Sequence, residues 1–66
     1  MEKKYNVFIR PEDGFAEVKA IKVTEKQAKE KVDEITSGKK TRDGNVAGIP
    51  SKVIDGNRNV YYVPDA

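Results

Sequence analysis

With neither a cysteine nor a histidine among its 66 residues, this chain has no disulfide and no Cys/His zinc site to staple it, so its fold must rest on a hydrophobic core alone. A chain of this length buries only about 60% of the surface that its unfolded form exposes, and hydrophobic residues make up 36% of it. The core is therefore single and thin, and residues 1–66 read as one small domain. The per-residue average sets its stability at about 3–10 kcal/mol.

Three Asp-Gly dipeptides, Asp13-Gly14, Asp43-Gly44 and Asp55-Gly56, interrupt the apolar pattern and predict turns, because Asp-Gly readily supplies the positive φ that tight turns require. Between Lys4 and Arg10, Tyr5, Val7 and Ile9 alternate with Asn6, Phe8 and Arg10, which is the period of a strand with one apolar side; Pro11 ends it. From Phe15 to Val23 the alternation resumes with Ala16, Val18 and Ala20, then shifts phase to Ile21 and Val23. That shift predicts a bulge or strong twist near Ala20, and the two runs form a first hairpin.

Thr24-Glu25-Lys26-Gln27 is a capping box, in which the Thr24 hydroxyl accepts from the Gln27 amide and the Gln27 side chain accepts from the Thr24 amide. The helix that follows carries Ala28, Val32 and Ile35 on one stripe, and Gly38 stands where a left-handed C-terminal cap belongs. Residues 39–50 are polar and glycine-containing and read as a flexible loop, with residues 46–49 as a short edge segment. A second hairpin, residues 52–54 and 60–63 across the loop 55–59, is closed by Pro64. The expected fold is α+β in the order ββαββ, one helix packed on one face of a four-stranded, mainly antiparallel sheet.

Thirteen Lys and Arg against eleven Asp and Glu leave a net charge of +2, a mixed surface that selects no polyanionic partner. No apolar run approaches the ~18 residues of a bilayer span and the N-terminal residues lack a signal-peptide core, so the expectation is a cytoplasmic protein with no membrane partner.

Candidate chemistry is sparse. Loss of His and Cys removes the usual general base, the usual thiol nucleophile and the usual soft metal ligands. Gly38-Lys39-Lys40-Thr41 is no phosphate loop, since Lys40 occupies the hydroxyl position, Asp33 the earlier glycine position, and the helix precedes it. Residues 55–59 open like a calcium loop, but Val60 and Ala66 stand where the glycine and the acidic ligand are needed. No carboxylate, Lys, Tyr or Ser is spaced as an acid-base pair, so the expectation is no catalytic residue, no cofactor and no metal, hence no enzyme.

Two binding readings remain. Tyr61 and Tyr62 are adjacent on a strand and point to opposite faces, which puts one ring on the side away from the helix, where it suits a protein contact. A thin core with free strand edges gains stability from a protein partner or a second copy of itself, so a non-catalytic protein-interaction module (an adaptor, an inhibitor or a self-associating domain) is the first reading. The alternative is a nucleic-acid-binding module that uses the basic loop Lys39, Lys40 and Arg42, the hairpin residue Arg58, and an aromatic sheet face. The opposing explanation for that loop is that its cations offset the negative end of the helix dipole.

Overall fold

The computed structural model describes residues 3–65. Strands β1 (Tyr5–Arg10) and β2 (Glu17–Val23) precede helix α1 (Glu25–Thr36), and β3 (Thr41–Val46), β4 (Ile49–Ile54) and β5 (Arg58–Pro64) follow it. The five strands make one sheet in the order β2-β1-β5-β4-β3, with every neighbouring pair antiparallel. The α+β class and the single helix on one face are as expected. The order is ββαβββ and the sheet has five strands, which corrects the four-stranded ββαββ reading.

The correction lies in residues 39–50. Residues 41–46 pair with β4 from Thr41↔Ile54 to Val46↔Ile49 without a break, so this stretch is a strand and a tight turn in place of a flexible loop. Its turn is Ala47-Gly48, both at positive φ (51° and 87°), as a two-residue type I′ hairpin requires. Asp43-Gly44, expected as a turn, lies mid-strand opposite Lys52 and Ser51. Gly44 is there for closeness: a Cβ on it would stand 2.5 Å from Val53 Cγ2 and 3.0 Å from both Asn59 Oδ1 and Ser51 Oγ. At Asp55-Gly56 the turn forms as expected, with φ of 49° and 85° and the Asn57 amide donating to the Ile54 carbonyl at 3.2 Å.

Both caps of α1 follow from the sequence. Gln27 N donates to Thr24 Oγ1 at 3.1 Å while Thr24 N donates to Gln27 Oε1 at 3.0 Å, and Gly38 adopts φ 73° just past the helix. The helix lies over β1, β5 and β2. Ala28 is fully buried, and Val32 and Ile35 pack on the cluster of Ile9, Ile54 and Val60. Full burial of a side chain such as Ile54 contributes about 2 kcal/mol.

The helix meets β4 at Ile54 and has its main contacts away from β3, and the other side of the sheet has no second layer. Curvature takes its place. Cα atoms of β3 and β5 come within 8 Å, closer than the roughly 9.6 Å of two strand spacings. Gly44 permits the approach, and Val46, Ser51, Val53 and Tyr61 are buried on the concave, helix-free face as a result. The buried Ser51 hydroxyl donates to Asn59 Oδ1 at 2.8 Å, so the curl leaves it satisfied.

Candidate interaction site

Strand β2 departs from a regular edge strand at the phase change seen in the sequence. Tyr5 pairs with Val23 but Val7 with Ala20, and Phe8 then pairs with Val18, so β2 holds one extra residue on either side of Ala20. At the first shift Lys22 takes φ 52° and its amide donates to Asn6 Oδ1 at 3.0 Å. Two bulges in seven residues twist the strand and weaken its alternation. Apolar side chains are left outside the core: Phe15 is 96% exposed, Ile21 61% and Val18 50%. Val18 lies across from Phe8, and Phe8 lies across from Tyr61 with its ring stacked at 5.7 Å. An apolar row, Val18, Phe8, Tyr61, therefore runs from the β2 edge into the helix-free face.

Of the two adjacent tyrosines it is Tyr61 that points away from the helix, and it is only 9% exposed. Tyr62, half-buried on the helix side, meets Tyr5 edge to face at 5.6 Å. Both tyrosines line a groove of about 480 Å³, with Val32, Pro50 and Pro64 among its walls. It opens because the β4–β5 ladder ends at Lys52↔Val60, while β4 begins at Ile49 and β5 runs on to Pro64. The rings thus serve the fold first.

The basic residues are brought together more than the sequence required. Arg42 Nη2 donates to the Gly56 carbonyl at 3.0 Å, Lys39 Nζ stands 3.8 Å from Asp55 Oδ2, and Arg58 bonds the same carboxylate. Lys40 borders the same hollow as Arg42 and Gly56. Three chain segments thus meet at the β4–β5 turn, and their cations are largely engaged with it. The hydrogen bond from Arg58 holds the Asp55 carboxyl below its ordinary range; desolvation opposes it, and the nearby charges of Lys39 and Arg58 add to the lowering. Lys52 does the same for Asp43 by a 2.8 Å hydrogen bond and its charge. The last turn of α1 contains no basic residue, and Lys39 pairs with Asp55 across the loop.

Phe15, Val18 and Ile21 are the residues that sequence reasoning did not single out. The available signal was the phase change at Ala20, because an apolar set that changes face within one short strand cannot bury both of its halves against one helix. Among the described residues no cluster of acidic side chains is placed to hold a metal ion, and no helix is long and apolar enough to cross a membrane. Comparison with protein-family models, with curated proteins and with solved structures finds no match to this chain. No residue therefore takes a role from a relative.

Proposed function

We propose that this chain is a small non-catalytic protein-interaction module whose contact surface is the β2 edge. One observation carries the reading: Phe15, Val18 and Ile21, the large hydrophobic side chains that stand exposed among the described residues, all fall on one edge strand and the residues leading into it. Single exposed hydrophobes are ordinary, but three within seven residues, joined through Val18 to Phe8 and Tyr61, form a patch of the kind that protein partners cover. Neither Phe15 nor Val18 takes part in the buried core, so the surface can be changed without touching the fold.

The test is quantitative affinity capture from cell lysate with the wild-type chain beside a Phe15→Ser plus Val18→Ser variant. Proteins enriched by the wild type, the chain itself included, are lost with a variant of unchanged melting temperature; equal capture by both overturns the reading. A second reading, binding of nucleic acid, draws on the convergence of Lys39, Arg42 and Arg58 at one turn with Lys40 beside it. It requires an oligonucleotide mobility shift at low salt that weakens steeply as salt rises and that Lys39→Glu plus Lys40→Glu abolishes. Absence of any shift at low ionic strength ends that reading.

A further inference from the structure

If the β2 edge is the contact surface, the order of its residues specifies what it contacts. Centred on Val18, the segment reads Phe15-Ala16-Glu17-Val18-Lys19-Ala20-Ile21. An antiparallel contact between two copies about a two-fold axis brings together residues equally spaced on either side of the centre, because such an interface uses the same patch twice. Val18 then meets Val18 of the second copy and Glu17 meets Lys19, while Phe15, ahead of β2, and Ile21, beyond the extra residue at Lys19, flank that centre. The two central pairs are complementary, apolar with apolar and acid with base. Exchange of Glu17 for a basic residue would break that match.

We infer that the partner of the β2 edge is a second copy of this chain, joined in an antiparallel two-fold contact centred on Val18. The inference rests on the interaction reading above and names its partner. Charge is complementary across the axis. Glu17 and Lys19 are exposed and pair with each other at 3.0 Å within one chain, and the two-fold contact replaces the two internal pairs of the separate chains with two pairs between chains, leaving no charge opposite a like one. Cross-strand pairs of opposite charge and of apolar side chains are the usual stabilising units of antiparallel association. Lys19 sits at the second register shift and Lys22 at the first, so any backbone ladder between copies is confined to the residues nearest Val18. Phe15, Val18 and Ile21 supply the remaining contact through their side chains. Because the bulges and the lysines oppose indiscriminate strand addition, a segment whose charges and apolar positions match, such as its own, is favoured over others.

Sedimentation velocity over a wide concentration range tests this with charge exchange. For the wild type the weight-average mass rises with concentration towards twice that of one chain. Glu17→Lys alone and Lys19→Glu alone each weaken association roughly tenfold, since each sets like charges opposite one another twice in the dimer. The double exchange, Glu17→Lys plus Lys19→Glu, restores it, because every cross-axis pair is again opposite in sign. These exposed positions leave the melting temperature close to that of the wild type. A strict monomer at all concentrations overturns the assignment, and so does a dimer insensitive to both single exchanges. If the strict monomer still captures a different protein through Phe15 and Val18, the second-copy assignment falls and the interaction reading stands. If that capture is absent too, both fall.

Discussion

Along β3, at one edge of the sheet, the polar side chains turn back onto neighbouring chain: Arg42 donates to the Gly56 carbonyl of the β4–β5 turn, Asp43 accepts from Lys52, and Asn45 Oδ1 accepts from the Gly48 amide. Along β2, at the other edge, the polar side chains make only the Glu17–Lys19 pair, and Val18 and Ile21 stand exposed. Both strands are protected against indiscriminate pairing, β3 by polar side chains and β2 by bulges and lysines. Only β2 keeps an apolar surface after that protection. The difference separates two tasks that a 66-residue chain has little material to combine. The β3–β4 hairpin closes the fold by curling over its concave face, and β2, held against β1 with two register shifts, offers a surface.

The comparison can be broken from either side. The largest effect belongs to Ile54→Ala on β4, which empties a fully buried site under Val32 and Ile35 and costs about 2–5 kcal/mol in a denaturant melt. Next comes Gly44→Ala on β3. Its new Cβ meets the buried Val53 at 2.5 Å, costing about 1–3 kcal/mol, and if this substitution is silent, the curl of β3 over β5 is wrong. On β2, Val18→Lys is expected to move stability by less than about 0.5 kcal/mol while abolishing association. A large loss of stability there would make Val18 a core residue and erase the contrast between the edges.

The smallest effect is acid sensitivity, and it belongs to the β3–β4 side. Asp43 and Asp55 have carboxyls held below the ordinary range by Lys52 and Arg58. Their folded-state affinity for protons is lower than in the unfolded chain, so each contributes stability above the ordinary Asp value of about 3.9. That contribution disappears as pH falls through the lowered folded value. Both groups are solvent-exposed, so the drop is slight. Thermal melts between neutral and strongly acidic pH should show it in the wild type and a reduced drop in Asp43→Asn plus Asp55→Asn.

What the sequence made legible was set by local rules. Thr24 to Gln27, Gly38 and Asp55-Gly56 act on their own neighbours, and each adopts the conformation its residue types favour. β1 was legible because Tyr5, Val7 and Ile9 alternate cleanly. β3 was not, because its six residues include one hydrophobic side chain, Val46, and its central glycine imitates a turn when read without the strand it packs against. Ala47 at φ 51° also hides the real turn, since alanine is a poor marker for that conformation. The phase change at Ala20 signalled that part of the β2 apolar set stays outside the core, but which part depends on where the helix lies across the sheet, a long-range outcome. The same holds for Tyr61: alternation put one ring of the Tyr61-Tyr62 pair on the helix-free face without saying which, and the burial of Tyr61 there depends on Phe8 and on the curl of a distant hairpin.

The most direct test of the β2 edge as the contact between two copies is a concentration series of amide ¹H–¹⁵N spectra of the wild-type chain. The account predicts shifts that grow with concentration in residues 15–21 and, across the ladder, at Phe8, with Thr41–Val46 unchanged. Concentration-dependent shifts along β3 or around Tyr5, Pro50 and Tyr62, or spectra that do not change at any concentration, would contradict it.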